Sequence, residues 1–361
     1  MRIAYIINSL EGGGAAFPIP IILTLMHKLG AEVRVFALTL KDGKALDPIQ
    51  KADIPVFIRS GDLNDHWQAY RWLDKQVINY QPTHLWTSLT RATLLGQLIG
   101  YKHNLPVISW QHAAYLKFTN LKLLQLTRNL TKLWLGDSDI VTQLTIKRLG
   151  ISNEHIITWP IFRATPDQKR ATPWHVGEKV KIISMGRLHE VKGYDILIQA
   201  IRILKNKPNL PPFEVSIYGE GKEYNFLNCL IKQYQLRDCF YLKGFTDQVS
   251  DKLTDQHLYL QPSRSEGFCV SAHEAMQVGL PVIASAVGEL PHSIENNVSG
   301  LTVAPGDPSA LAAALGQLLQ KPEKLYHMGT CAREKIFSCF SEERFNQIGK
   351  HIYERMEKFS T

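Results

Sequence analysis

The feature that most constrains this chain is an alternation. Short apolar runs, each followed by a stretch of helical length and spacing, recur through the sequence in two series. In the first series strand-like runs fall at Ile3–Ile7, Val33–Leu38, Val56–Ile58, His84–Thr87, Val107–Trp110, Leu133–Gly136 and Ile156–Trp159, with helical patterns between most of them. Alternating βα units build a parallel sheet covered by helices on both faces. Pro160–Gly177 (PIFRATPDQKRATPWHVG) then breaks the pattern: it is polar, Pro-rich and without period. A second series follows. Its strands are expected at Lys179–Ser184, Phe213–Tyr218, Phe240–Leu242, His257–Leu260, Val282–Ala284 and Leu301–Val303. Its helices include Gly193–Lys205, Lys222–Gln235, Asp307–Gln320 and Glu342–Lys358. A chain of 361 residues exceeds one ordinary core, so two α/β domains are expected. The division read from the sequence is an N-terminal domain 1–165, a linker 166–178, a C-terminal domain 179–340 and a final helical segment 341–361. Pro18 and Pro20 place the first helix start near Phe17, since proline is tolerated in a first turn.

Composition excludes several classes. With 45% hydrophobic and 20% charged residues the chain is that of a globular protein. No apolar run approaches the ~18 residues of a membrane span. The start MRIAYIINSL has neither the long apolar core nor the cleavage site of a signal peptide, so the cytoplasm is the expected compartment. Cys229, Cys239, Cys269, Cys331 and Cys339 form no CxxC pair and no zinc spacing, and read as reduced thiols without a structural metal. The net charge of +8 lies wholly in the first half: residues 1–170 hold 20 Lys and Arg against 12 Asp and Glu, and the remainder holds 21 against 21. A basic half points to an anionic partner: nucleic acid, anionic lipid or a phosphorylated substrate. Within it, Leu116–Trp134 is rich in leucine and bases. Lys122, Gln125, Arg128 or Asn129, and Lys132 recur at helical spacing, with Leu123, Leu126, Leu130 and Trp134 on another face. Two readings stay open: a basic helix on a membrane surface, or an amphipathic helix packed on the sheet with a solvated basic face.

Candidate chemistry sits at strand ends. Parallel sheets bind ligands beyond the C-terminal ends of their strands, and in the first half those ends carry Gly12–Gly14, Ser88 and Gln111-His112. In the second half, Glu266 and Glu274 bracket EGFCVSAHE, a strand end turning into a helix. A helix opening near Phe268 would leave the N–H groups of Gly267, Phe268 and Cys269 open to an anion, with Glu266 at its mouth and Glu274 two turns in. The alternative is two glutamates that only decorate a helix. Arg187 and Lys192 lie five apart at another strand–loop–helix corner, where a guanidinium and an ammonium can neutralise a diphosphate without a metal. Asp137-Ser138-Asp139 is a DxD that either caps the helix after it or holds a divalent metal. Gly219-Glu220-Gly221, a lone GxG, reads as a tight strand–helix turn.

These motifs in this order resemble the retaining, nucleotide-sugar-dependent glycosyltransferases of family 4, with the GT-B fold. The resemblance rests on the Gly12–Gly14 loop, His112 after a strand, the GRLxxxKG run Gly186–Gly193, Glu266-x7-Glu274, and the continuation through Ala275-Met276 to Gly279-Leu280-Pro281-Val282. It departs at Gly288-Glu289-Leu290, where a Gly-Gly pair is common in the family.

The resemblance implies two Rossmann-like domains with parallel sheets facing across a cleft and a final helix crossing back to the N-terminal domain. Arg187 and Lys192 would grip the diphosphate of the donor, Glu266 its sugar hydroxyls and Glu274 its ribose. Gly267, Phe268, Cys269 and Val270 would touch phosphate or sugar, and Gly13 and Gly14 would let the backbone approach the donor phosphate. His112 would serve the reacting sugar, and Ser88, His112, Lys122 and Arg128 are the acceptor-side candidates. His112, Arg187, Lys192 and Glu266 form the expected catalytic set. The reaction implied is transfer of a hexose, from a UDP-sugar before GDP-mannose, to a glycan or a lipid-linked precursor of lipopolysaccharide or exopolysaccharide. No cofactor or obligate metal is expected, nor nucleic acid as a partner. An anionic membrane surface is a candidate partner, with the chain cytoplasmic or peripheral on the inner face of the membrane. The rivals are a phosphorylase or sugar-nucleotide epimerase of the same fold, an NAD-linked oxidoreductase, and a non-catalytic sugar-nucleotide-binding protein. The oxidoreductase would need GxGxxG and an acid ending the second strand; Glu32 instead precedes that strand.

Overall fold

The computed structural model describes residues 1–112, 116–205, 207–208 and 210–359; the last two residues of the expected 341–361 segment lie outside them. The chain divides into two compact units, Met1–Phe162 with Glu343–Thr361, and Arg163–Glu342.

In the first unit the strands are β1 (Arg2–Ile7), β2 (Glu32–Ala37), β3 (Val56–Ile58), β4 (His84–Ser88), β5 (Val107–Gln111), β6 (Leu133–Gly136) and β7 (Ile156–Thr158). They form one parallel sheet in the order β3-β2-β1-β4-β5-β6-β7. The helices between them are α1 (Ile19–Lys28), α2 (Leu46–Lys51), α3 (His66–Tyr80), α4 (Thr90–His103), α5 (Phe118–Thr127) and α6 (Asp139–Leu149). Every residue of β4, β5 and β6 is buried. That is why these strands read as continuous apolar runs: a parallel sheet is covered on both faces. The first α-helix starts at Ile19, two residues after the expected Phe17. The turn before it is already wound, with the Phe17 N–H donating to the Gly13 carbonyl (3.1 Å), and Pro18 and Pro20 remove N–H groups at the helix start.

In the second unit the strands are β8 (Val180–Met185), β9 (Phe213–Tyr218), β10 (Phe240–Gly244), β11 (Leu258–Gln261), β12 (Val282–Ser285) and β13 (Gly300–Val303), ordered β10-β9-β8-β11-β12-β13. The helices are α7 (Tyr194–Lys205), α8 (Tyr224–Gln233), α9 (Val249–Thr254), α10 (Val270–Gln277), α11 (Leu290–Ser293), α12 (Pro308–Leu319) and α13 (Leu325–Cys339). Strand β8 is flanked by β9 on one side and β11 on the other. The strand order reverses there, and such a switch point opens a crevice at the C-terminal strand ends.

The stretch expected as a linker is fastened to this unit. The Ala164 N–H donates to the Phe340 carbonyl (2.8 Å), the Thr165 N–H to Gln277 Oε1 (2.7 Å) and the Ala171 N–H to the Val278 carbonyl (2.7 Å). The stretch lacks period because its hydrogen bonds go to partners distant in sequence.

The last helix, α14 (Glu342–Glu357), closes the first unit. Phe345, Gly349, Ile352 and Met356 form its buried side. Trp159 Nε1 donates to the Phe345 carbonyl (3.1 Å), and His84 Nε2 bonds the Met356 carbonyl (2.9 Å). Gly349 is the point of closest approach: a Cβ there would lie 2.4 Å from Leu25 Cδ2 and 2.8 Å from Trp159 Cζ2. Gly349→Leu is therefore expected to destabilise the chain by about 1–3 kcal/mol through overpacking, read as a lower urea midpoint at unchanged slope. An unchanged midpoint would show that α14 does not bear on the sheet.

Candidate active site

The second unit assembles a polar centre at its switch point. Strand β8 is followed by Gly186 and the exposed Arg187, and strand β11 ends at Gln261 and is followed by Pro262-Ser263. Gly193 holds φ +66°, and a Cβ there would stand 2.0 Å from the Pro262 carbonyl oxygen. Only glycine lets these two loops meet so closely. The approach sets Lys192 against Glu266: Nζ lies 2.7 Å from Oε1, both side chains largely buried. The same Oε1 accepts from Ser263 Oγ (2.6 Å) and Gln261 Nε2 (3.1 Å). Gln261 Oε1 in turn accepts from Tyr259 Oη (2.9 Å). Burial works against the Lys192 charge, but the neighbouring Glu266 carboxylate more than offsets it and holds the ammonium pKa above its ordinary value.

The expected helix start is corrected by two residues. Helix α10 begins at Val270, and Cys269 is its N-cap at φ 69°, ψ 68°. The open N–H groups of the first turn thus belong to Val270 and Ser271 rather than to Gly267 and Phe268. Phe268 instead turns inward and stacks on His273 (4.0 Å between ring centroids), with Phe340 edge-on at 5.2 Å. Cys269 is buried, and burial pushes its thiol up to about 12. Gly267 accepts the Glu289 N–H (2.9 Å), and Gly288, φ +56°, backs onto the Glu266 and Gly267 carbonyls so closely that a Cβ would lie 2.3–2.6 Å away. The loop at Gly288-Glu289-Leu290 is therefore a wall of the Glu266 turn. The Gly219–Gly221 turn buttresses the other side: the Leu188 N–H donates to the Glu220 carbonyl (2.8 Å).

Two neighbouring residues on α10 titrate in opposite senses. Burial pushes the Glu274 carboxyl up to about 7. Burial lowers His273 to about 4, although its hydrogen bond to the Cys269 carbonyl (2.9 Å) favours the charged form. His273 also bonds Ser293 Oγ (2.8 Å), so a neutral imidazole ties the cap residue to α11.

The first unit carries a separate cluster at the C-terminal ends of β4, β5 and β6. Ser88 Oγ lies 2.8 Å from His112 Nε2, and Asp137 Oδ2 lies 3.5 Å from His112 Nδ1. The imidazole stacks on Trp110 at 5.5 Å. Burial raises the Asp137 pKa, opposed by the imidazole beside it. A carboxylate facing Nδ1 favours the tautomer with its proton there, leaving Nε2 to accept from the Ser88 hydroxyl. Ser138 caps α6 by accepting the Val141 N–H (3.2 Å), while Asp139 is exposed in the first turn. The two carboxylates of the DxD thus part company, one under His112 and one in solvent. Among the described residues no group of three or more His, Cys, Asp or Glu could hold a metal ion. Gly13 faces open space, and Gly14 lies in the same turn before α1.

Of the acceptor-side candidates, Ser88 and His112 are brought together, but Arg128 is not with them. It follows α5 at the opposite, N-terminal end of the strands, about 15 Å along the sheet by strand rise. Lys122 is exposed on α5, 5.6 Å over the Phe118 ring. Sequence reasoning missed Gln261, Ser263, His273 and the pairing of Asp137 with His112. Ser263 and Glu266 do carry the S-x-x-E spacing at which a hydroxyl and a carboxylate meet.

Comparison with known proteins bears on the fold and on what the chain is similar to. Residues 167–335 match the family model described as glycosyl transferases group 1. The amylovoran biosynthesis glycosyltransferase AmsK of Erwinia amylovora is 38% identical over 178 residues, 47% of this chain and 42% of that protein. The putative colanic acid biosynthesis glycosyltransferase WcaL of Escherichia coli is 32% identical over 214 residues, 57% of this chain and 49% of that protein. The matched stretches thus span about half the length of these relatives. A crystal structure of Anabaena HepE with UDP and glucose superposes with a TM-score of 0.84 at 19% identity, over 99% of this chain and all of that one. The fold is accordingly GT-B.

The α10 pair makes a stability prediction. The protonation that Glu274 retains on folding stabilises the chain fully below about pH 4.5, and that contribution is lost as pH rises through about 7. The His273 contribution runs the other way: present above about 6.5, lost as pH falls through about 4. The two slopes oppose each other in the wild type. Glu274→Gln should unmask the histidine slope, so that its melting temperature climbs from pH 4 to 6.5 more steeply than that of the wild type and no longer declines toward pH 8. Parallel profiles for the two proteins would contradict the enclosed state of the Glu274 carboxyl.

Proposed function

We propose that the chain is a retaining, metal-independent hexosyltransferase of the family 4 type, acting on a nucleotide sugar. The observation that carries this reading is the Lys192–Glu266 pair at the β8/β11 switch point, with Arg187 following the end of β8 and the half-buried Glu274 about one turn along α10. A bound donor would place its diphosphate against Lys192, Arg187 and the open N–H groups of Val270 and Ser271. Charge that develops on the departing diphosphate would be met by groups already in place, an effect worth a few kcal/mol per donor. Glu266 would hold sugar hydroxyls through Oε2, since Oε1 already accepts three bonds. That load also lowers its nucleophilicity and speaks for a holding role, not for double displacement through a glycosyl–enzyme bond. Attack on the same face as the leaving phosphate then needs no protein nucleophile. Glu274, once ionised, would accept from ribose hydroxyls, and donor binding near neutral pH would release its proton.

A UDP-sugar is the preferred donor, with GDP-mannose next, because the structurally similar HepE was crystallised with UDP and with UDP-glucose. The acceptor we propose is a glycan or lipid-linked precursor of a surface polysaccharide, as the names of AmsK and WcaL suggest for those proteins, reached from the inner face of the membrane. No helix among the described residues is long and apolar enough to cross a membrane.

His112 would serve the reacting sugar, with Ser88 and Asp137 as positioning residues that fix its ring and tautomer. Asp137→Asn should lower kcat about tenfold to a hundredfold with UDP affinity unchanged, and should shift the pH profile of kcat. A variant with wild-type kcat and pH profile would remove the positioning role. For the reaction itself, incubation with UDP-sugars and extracted lipid-linked acceptors should yield an α-linked product by anomeric NMR, with EDTA present or absent. Strict dependence on Mn²⁺, or a product with inverted configuration, would overturn the mechanism.

A further inference from the structure

The first unit holds a pocket of about 380 Å³ that the proposed chemistry does not use. It lies between the N-terminal ends of β6 and β7, away from Ser88, His112 and Asp137 at the other ends of their strands. Arg128, Lys132 and His155 line it, with Ser152 and Trp134, and no acidic side chain is among the lining residues. Ser152 Oγ bonds His155 Nδ1 (2.7 Å), which leaves the outer ring nitrogen for a ligand. Glu154, the adjacent acid, is exposed and outside the lining, and its backbone carbonyl accepts from Arg355 (2.8 Å). The chain that leads into β6 is basic: between Asp74 and Asp137 the sequence has no Asp or Glu but seven Lys and Arg.

Helix α5 leads into this pocket. Phe118, Lys122 and Leu126 fall at i, i+4 and i+8 and share its outer side. Phe118 is 72% exposed and Leu126 82%, with Leu123 at 47% beside them, while Leu124 is its fully buried residue. Of the two readings left open for this stretch, the one that packs the Leu123–Leu126 face on the sheet does not hold: the helix is ten residues long, and Leu124, not Leu126, faces inward. An exposed aromatic and two exposed leucines around a lysine serve no core and compose an interfacial helix. Leu126 stands two residues before Arg128 of the pocket, so apolar stripe and cationic pocket adjoin.

We propose that this end of the first unit docks on an anionic phospholipid bilayer. Phe118, Leu123 and Leu126 enter the headgroup–acyl boundary, and the pocket of Arg128, Lys132 and His155 takes the phosphate of one headgroup. The inference rests on the proposed work at a membrane surface, and it names the residues and the lipid chemistry. Lys122 and Arg128 then serve the membrane and not the acceptor hydroxyl.

The test is co-sedimentation of the intact chain with vesicles of pure phosphatidylcholine and of phosphatidylcholine with about one third phosphatidylglycerol, near physiological salt. Wild type should partition at least about tenfold better onto the anionic vesicles. Phe118→Ser with Leu126→Ser, and separately Arg128→Gln with Lys132→Gln, should each lose most of that binding. Lys28→Gln with Lys51→Gln, which removes the same charge elsewhere, should keep it. Equal binding to both vesicle types overturns the proposal. So does equal loss in the two lysine- and arginine-depleted variants, which would reduce the effect to net charge, and so does full binding by the Phe118/Leu126 variant. Competition by inorganic phosphate alone, without vesicle dependence, would reassign the pocket to a soluble anion. Melting temperatures confirm folding of each variant. UDP binding by the same variants in solution reports on the donor reading separately, since a chain that ignores UDP but binds anionic vesicles fails only the former.

Discussion

The ion pair between Lys192 and Glu266 is the interaction on which the candidate site depends. Two largely buried charges are costly unless each is matched, and here the matching is complete on one side only. Glu266 Oε1 takes an ammonium, a hydroxyl and an amide, whereas Lys192 keeps donors for another partner. A diphosphate would supply that partner, and the three bonds to Oε1 would keep Glu266 in place meanwhile. The pair also explains why the surrounding backbone is so tightly specified. Gly193 against the Pro262 carbonyl and Gly288 against Glu266 and Gly267 are approaches that any side chain would break.

The second unit therefore reads as a rigid cradle, stiffened by contacts that have no chemistry of their own. Phe268 and His273 stack beneath the turn, and a neutral His273 bridges the Cys269 carbonyl and Ser293. The left-handed cap at Cys269 is a conformation that non-glycine residues rarely hold. Its position directly before the first open N–H groups of α10 matches the pattern of backbone strain placed where a ligand is held. In the first unit the same economy of means fixes His112, with Trp110 under the ring and Ser88 and Asp137 at its two nitrogens.

Much of this was legible in the sequence because the sheets are parallel. Strands such as His84–Ser88, buried on both faces, stand out as apolar runs, and their ends point to the loops that matter. Arg187, Lys192 and Glu266 could be named because each lies in a loop or turn that follows such an end, and Glu274 because it lies on the helix that the Glu266 loop opens. Their pairing could not. Lys192 and Glu266 are 74 residues apart, and what joins them is a loop contact set by Gly193. Asp137 was visible as part of a DxD, but its tie to His112 follows from β6 lying beside β5, a matter of sheet order. Helix α5 stayed open between two readings for a different reason: leucine periodicity marks a face, yet it does not say whether protein or something else covers it.

The central claim is that the Lys192–Glu266 centre is the nucleotide-sugar site. The most direct measurement is calorimetric titration of UDP into the intact chain and into Lys192→Ala. The wild type should bind UDP, and the variant should lose at least about tenfold in affinity, as expected when a charged hydrogen bond to phosphate is removed, while melting within a few degrees of the wild type. Equal affinity in the two proteins, with both folded, would contradict the account.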